Sequence, residues 1–292
     1  MSLRRHLYCA AVLVAAACSQ ASTPAEQPRP KPPPRPSGGP SRAPTADPTH
    51  SAAPLRYRPS AAERYSLQRQ DSLALELPGG ATQVQQSSRT AYLTLTIGEG
   101  PGAYHATIRL DSLRQDVGGT MAADSVLRAE GTSWTASLTP EGRLGTLQAD
   151  RTSGVGDQVE ASLLPLFPVL PASGLDTATQ WSDTTDRAFK ADAFDVREHA
   201  VTSYTLEKRE GPVYTISAAT VFQRTGTGGQ ATQPMEMTSS GARHAIYRFS
   251  RDGGVLAGEG ADSAEMTISI PAVGQSVPVH QRASWKAVRG EK

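Results

Sequence analysis

The stretch EGPVYTISAATVF, from Glu210 to Phe222, contains the pattern that decides the fold. Tyr214, Ile216 and Phe222 are separated by even numbers of residues, so they lie on one face of an extended chain. Thr, Val and Ile suit the half-buried surface of a sheet. Gly allows unusual backbone angles, and Pro ends one strand before the next begins. The stretch therefore predicts a turn followed by a β-strand over 213–224.

The same alternation recurs along the chain from residue 60 onwards. It is clearest in AYLTLTI (91–97), GAYHATIRL (102–110), RHAIYRF (243–249) and EMTISI (265–270). Residues 140–142 and 251–254 are typical hairpin loops. Strands with one apolar and one polar face favour an antiparallel sheet. The sequence predicts a mainly β head over 60–292, with further strands over 90–98, 103–115, 196–209, 262–270 and 276–288.

The opening Glu-Gly-Pro occurs twice, at 99–101 and again at 210–212. An aromatic residue followed by Ser also occurs twice, as Tyr65-Ser66 and Trp181-Ser182, and a similar offset relates the glycine turns near 142 and 253. Landmarks in one order at nearly constant offset predict two pseudo-repeats, at about 61–150 and 178–288. The two Glu-Gly-Pro turns are then expected at equivalent places in the two halves.

Between the pseudo-repeats, residues 155–172 predict a helix and a proline-rich bridge. In DQVEASLL, Asp157 is a candidate N-cap with Glu160 three residues later, and Pro165 ends the helix. PLFPVLP (165–171) is apolar, but its prolines exclude a central strand. A second short helix is expected over 121–130. The large aromatic residues are expected to pack between sheet and helix or, if the sheet curls, to line a groove; they are Trp134, Trp181, Trp285, Phe167, Phe189, Phe222 and Phe249.

The N-terminus has the build of a secretory signal. Arg4 and Arg5 precede an apolar run that is too short to span a bilayer. The following VAAAC resembles the lipobox of bacterial lipoproteins, which implies a signal peptide over 1–17 and lipid on Cys18. Ser19 after the cysteine implies sorting to the outer membrane, facing the periplasm. Ordinary cleavage giving a soluble secreted protein and twin-arginine export remain alternatives.

Two cysteines, Cys9 and Cys18, are the only ones in the chain. Cys9 would be removed with the signal peptide, and Cys18 would carry the lipid. The mature chain is then expected to have neither a disulfide nor a cysteine-based metal site. Residues 18–59 are rich in proline and poor in large apolar side chains, which predicts a disordered linker. The linker carries an excess of Arg and Lys, whereas acidic residues outnumber basic ones from Ser60 onwards.

The sequence contains no nucleophile elbow, zinc-protease helix or phosphate-binding loop. Four histidines in the head are scattered: His105, His199, His244 and His280. His105 and His244 are expected within strands, either facing solvent or with their hydrogen bonds satisfied. Acidic residues gather around a predicted loop, namely Asp183, Asp186, Asp192 and Asp195, but a solvated surface is favoured over a calcium site. No catalytic residue, metal ligand, cofactor or nucleic-acid surface is predicted, and the ligand-binding residues remain unassigned.

The VAAAC motif, the proline-rich linker and a two-part β head joined by PLFPVLP resemble a group of Gram-negative lipoproteins. In outline the head also resembles the half-barrel lipoprotein carriers of the LolA and LolB type. That resemblance implies a curved antiparallel sheet whose concave side is plugged by helices and holds acyl chains. This chain differs in lacking a helix before its first strand and in its duplication.

Three functions follow as hypotheses. The first is a non-enzymatic lipoprotein, lipid-anchored to the outer membrane, whose head binds an apolar ligand, a lipid or a lipidated partner under the 157–170 segment. The second is a scaffold that contacts the cell wall or another envelope protein. The third, an enzyme, is the least favoured because no nucleophile is paired with a base.

Overall fold

The computed structural model describes residues 55–77, 80–117, 123–175, 179–191, 194–230 and 233–290. Within them, eleven strands form one antiparallel sheet. The strands are β1 (Ser60–Glu76), β2 (Thr82–Gly98), β3 (Tyr104–Val117), β4 (Ser133–Leu138), β5 (Gln148–Ala149), β6 (Gln180–Ala191), β7 (Phe194–Glu210), β8 (Val213–Gln230), β9 (Gln233–Ser250), β10 (Val255–Ile270) and β11 (Gln275–Arg289). The predicted mainly β fold is confirmed.

The strand order is β5-β4-β3-β2-β1-β11-β10-β9-β8-β7-β6. The first and last strands meet in the middle, where β1 and β11 pair from Tyr65–Arg289 to Leu75–Val279. The sheet curls into a half-barrel. Its curvature brings β6, at one edge, close to the loop after β4 at the other, where the guanidinium of Arg143 lies 2.5 Å from the carboxylate of Asp183.

The alternating residues form the core on the concave side. Side chains that are almost completely buried there include Leu93, Leu110, Trp134, Ile216 and Phe249. Several strands extend beyond their predicted ends: β2 begins at Thr82 and β8 runs to Gln230. These extensions are rich in Gln, Ser, Thr and Gly, so they carry no apolar alternation that a sequence pattern could detect.

The two Glu-Gly-Pro turns occupy corresponding places in the strand order. The first joins β2 to β3 and the second joins β7 to β8. The order β4-β3-β2-β1 in one half of the sheet matches β9-β8-β7-β6 in the other, as the predicted repeat requires. The turns differ in backbone geometry, because positive φ falls on Gly102 (80°) in the first and on Gly211 (57°) in the second. The duplication itself stays a prediction.

Two short helices accompany the sheet: α1 (Ala123–Ala129) and α2 (Gly154–Leu163). The predicted cap of α2 is wrong. Ser153 is the N-cap, and its hydroxyl accepts a hydrogen bond from the Gly156 amide at 2.9 Å. Asp157 is already inside the first turn, because its amide donates to the Ser153 carbonyl. A 3₁₀ turn over Leu164–Leu166 follows and contains Pro165.

Residues 164–171, here called the plug segment, lie against the concave face and form no strand. Because prolines lack amide protons, the segment cannot pair as a strand. Its buried carbonyls therefore need hydrogen-bond donors from other parts of the chain. Aromatic side chains from outside the plug segment supply them. Tyr247 donates to the Pro165 carbonyl at 2.8 Å, Tyr57 to that of Pro168 at 3.1 Å, and Trp181 to that of Val169 at 2.7 Å.

Residues 55–59, assigned to the linker by sequence, pack onto the head. Tyr57 is 1% exposed and makes an edge-on contact with the Phe249 ring at 5.0 Å. The Arg56 guanidinium donates to the carbonyls of Pro171 and Ala172 at 3.0 and 2.6 Å. Residues 55–59 therefore belong to the head, and the rest of the predicted linker lies outside the described residues. Leu55 and Tyr57 are the only large apolar side chains in this stretch, so no apolar run in the sequence marks the start of the head.

Candidate functional site

The plug segment does not fill the concave face, and one cavity lies beside it. This cavity, here called the methionine cavity, has a volume of about 250 Å³. Leu164 and Pro165 contribute to its wall. The rest of its apolar wall includes Leu75, Phe194, Val196, Met237, Met266 and Val279, from five strands of the sheet. Methionine adapts its shape to irregular partners, so this wall suits a flexible apolar ligand.

A second cavity of about 430 Å³, here called the side cavity, lies between β6 and the loop after β4. The loop contributes residues 142–147, and Tyr204 and Tyr247 line it from the sheet. The two cavities share five lining residues: Leu164, Pro165, Arg187, Phe189 and Arg243. They therefore adjoin across the start of the plug segment, and Phe189 lines a groove, as expected for some of the aromatic residues if the sheet curls.

Charged side chains separate the apolar parts of the concave face. They form the arginine cluster, which consists of Arg187, Glu198, Arg224, Arg243 and Asp262 on five neighbouring strands, β6 to β10. The Glu198 carboxylate is 1% exposed and accepts hydrogen bonds from the Nε atoms of Arg187 and Arg224, both at 2.7 Å. Arg243 Nε donates to Asp262 at 3.0 Å.

Burial by itself would raise the pKa of the Glu198 carboxyl, but the nearby positive charges outweigh it. Arg187, Arg224 and Arg243 together lower its pKa to about 2, so the carboxylate is ionised at neutral pH. Burial lowers the pKa of the Arg224 guanidinium. Its charged group also lies over the ring of Phe222, 4.2 Å from the centroid, which stabilises a cation in a poorly hydrated site.

The histidines lie apart from this site. His105 and His244 are exposed, as expected from sequence. His199 Nδ1 lies 2.7 Å from the exposed carboxylate of Asp186. His280 bridges two exposed carboxylates, with Nε2 2.9 Å from Glu76 and Nδ1 2.7 Å from Glu265. These two contacts raise its pKa, the hydrogen bond to Glu76 contributing most.

The predicted acidic loop is wrong, because Asp183 and Asp186 belong to strand β6. Successive residues of a strand alternate between faces, so Asp183 points inward to Arg143 while Asp186 is exposed. Asp195 lies on β7, 3.9 Å from Lys190, and Asp192 lies outside the described residues. Among the residues described, no three His, Cys, Asp or Glu side chains form a group suited to a metal ion.

The concave face is not apolar throughout, because the arginine cluster lies within it. A signal for the cluster was present in the alternation. Arg224 follows Phe222 by two residues, and Arg243 precedes Ala245 by two, so each shares the inward face of its strand. Glu198 has the same marker, because it lies two residues from both Val196 and Ala200.

The predicted signal peptide and the lipid attachment site Cys18 lie outside the described residues. Neither α1 nor α2, with seven and ten residues, is long and apolar enough to cross a membrane, and the described part of the chain contains no other α-helix. No protein-family model matches the sequence, and a search of the curated proteins returns no match.

Proposed function

We propose that this chain is a non-enzymatic binding protein whose half-barrel holds an apolar ligand, such as a lipid or the acyl chain of a lipidated partner. The observation that carries the proposal is the methionine cavity, a space of about 250 Å³ with an apolar wall beside the plug segment. Ligand sites are mostly apolar, concave spaces with a few placed polar groups, and this interior has that composition.

The adjoining side cavity of about 430 Å³ adds room for a ligand longer than the methionine cavity. The two spaces meet at the start of the plug segment, where Leu164 and Pro165 line both of them. We propose that a bound chain displaces the 3₁₀ turn over Leu164–Leu166 and so joins the two cavities.

The proposed location is the outer membrane, with Cys18 carrying the lipid anchor and the head facing the periplasm. The VAAAC motif and Ser19 support this location. A Cys18→Ala variant is expected to leave the membrane fraction when cells are fractionated. Retention of that variant in the membrane would place the anchor elsewhere without affecting the ligand proposal.

Native mass spectrometry of the gently purified chain tests ligand binding. A population with the added mass of a lipid is expected. Val279→Phe puts a larger side chain into the methionine cavity and is expected to remove that population. Val288→Phe, on the exposed face of the same strand, is the matched control and is expected to retain it. A wild-type chain that binds no added lipid at all would refute the proposal.

A further inference from the structure

The arginine cluster has hydrogen-bond donors to spare. A guanidinium offers five N–H groups. Arg224 uses its Nε toward Glu198, and Arg243 uses its Nε toward Asp262. Among the described residues, none accepts a hydrogen bond from the terminal nitrogens of either arginine. Both side chains line the methionine cavity, where they expose 16% and 10% of their surface.

Positive charge also exceeds negative charge in this interior. Four arginines line the methionine cavity: Arg69, Arg187, Arg224 and Arg243. Glu198 and Asp262 line it too, and Asp71 neutralises Arg69 through contacts of 2.8 to 3.0 Å. One positive charge is therefore left over in a poorly hydrated space. Arg187 and Arg224 share the single negative charge of Glu198, so an anion from outside the chain would be bound favourably.

The spare donors and the apolar wall belong to the same cavity. Arg224 is opposite Glu198 on β7 and Ser239 on β9, and the same line across the sheet continues through Met266 and Val279. Arg243 lies further along β9, opposite Asp262. A ligand in this space meets guanidinium groups at one part of its length and methionine and valine side chains along the rest. That arrangement matches a molecule with one charged end and one apolar chain.

We propose that the ligand is an anionic single-chain amphiphile, whose carboxylate or phosphate monoester is bound by Arg224 and Arg243 and whose chain lies along the methionine cavity. This inference rests on the proposed function and specifies its ligand class. Guanidinium groups bind planar carboxylates and phosphates through paired hydrogen bonds, which makes arginine well suited to this task. The Nε contacts to Glu198 and Asp262 fix the two guanidiniums in place.

Competitive titration of the full-length chain with matched probes tests the proposal. Oleate and oleyl alcohol share one chain and differ in the charged end, while oleoyl lysophosphatidate carries a phosphate monoester. Charge-assisted hydrogen bonds are stronger than neutral ones, so oleate is expected to bind about 10- to 100-fold more tightly than oleyl alcohol. Tighter binding of oleate or of lysophosphatidate identifies the source of the anion, and either result supports the proposal.

If neither oleate nor lysophosphatidate binds more tightly than oleyl alcohol, the anionic class is overturned and the proposed function stays intact. Failure of every probe would refute both. Arg224→Met keeps the apolar stem and is expected to weaken oleate about 10- to 100-fold while leaving oleyl alcohol unchanged. Arg109→Met, at an exposed arginine, is the control and is expected to change neither affinity. The wild-type comparison remains decisive if Arg224→Met does not fold.

Discussion

Replacement of Glu198 by Gln is expected to destabilise the head strongly. The Glu198 carboxylate is buried and accepts hydrogen bonds from Arg187 and Arg224, with Arg243 at 4.0 Å. A neutral amide of the same size leaves three neighbouring guanidiniums with only Asp262 to balance them. Removing one partner of a buried ion pair leaves an uncompensated charge, which costs roughly 3–5 kcal/mol.

The lowered pKa of Glu198 gives an independent magnitude. A fall from 4.5 in the unfolded chain to about 2 in the folded chain corresponds to roughly 3 kcal/mol of unfolding free energy. Because the folded pKa is the lower one, this stabilisation is fully present above pH 4.5. It is lost progressively as the pH falls through that window toward about 2.

Urea unfolding followed by circular dichroism at neutral pH and at acidic pH values within that window measures both effects. Glu198→Gln is expected to lose about 3 kcal/mol at neutral pH and to lose part of the wild-type dependence on acid. Glu207→Gln, an exposed change on the same strand, is the matched control and is expected to stay within about 0.5 kcal/mol. A loss below about 1 kcal/mol for Glu198→Gln, or an unchanged acid dependence, would refute the electrostatic account.

Two further predictions concern the plug segment and the outer surface. Tyr247→Phe removes the 2.8 Å hydrogen bond to the Pro165 carbonyl, so urea unfolding should show a loss of about 1–3 kcal/mol. His280 should titrate above its ordinary pKa of 6.5, because the carboxylates of Glu76 and Glu265 favour the protonated ring. The raised pKa stabilises the fold below pH 6.5, and this contribution is lost as the pH rises through the folded value.

Both predictions have internal controls. Tyr92→Phe alters an exposed tyrosine and should change stability by less than about 0.5 kcal/mol, so an equal effect at Tyr247 would deny its hydrogen bond a role. Nuclear magnetic resonance titration of the ring protons reports the pKa of His280. Glu76→Gln should lower that pKa, and an unchanged value would show that the carboxylate contact is absent in solution.

The fold class was predictable because buried and exposed side chains alternate with a period of two along a strand, and the sequence shows this alternation. Tyr214, Ile216 and Phe222 alternate as buried strand residues must, and the Glu-Gly-Pro turns mark the hairpins. The helix was found but its start was misplaced by one turn. Ser153 and Asp157 are both suitable caps, and only the backbone distinguishes them.

The candidate site was much less predictable from the sequence. A residue on the inward face of a strand can still be covered by water rather than buried. Alternation places Arg224 and Arg243 on the same face as Phe222 and Ala245, yet it does not say whether water covers that part of the face. Burial of Glu198 depends on strands β6, β8 and β9, which supply the three arginines around it.

The sequence by itself determined strands, turns and the expected export to the envelope, because each depends on residues close together in the chain. Tertiary structure alone decided that β1 pairs with β11, that residues 164–171 enter the concave face and that Tyr57 closes over them. The β1–β11 pairing and the contact of Tyr57 with Pro168 join segments more than a hundred residues apart. These contacts are stabilised by apolar surface that is buried only when the whole sheet has curled, so no local sequence pattern predicts them.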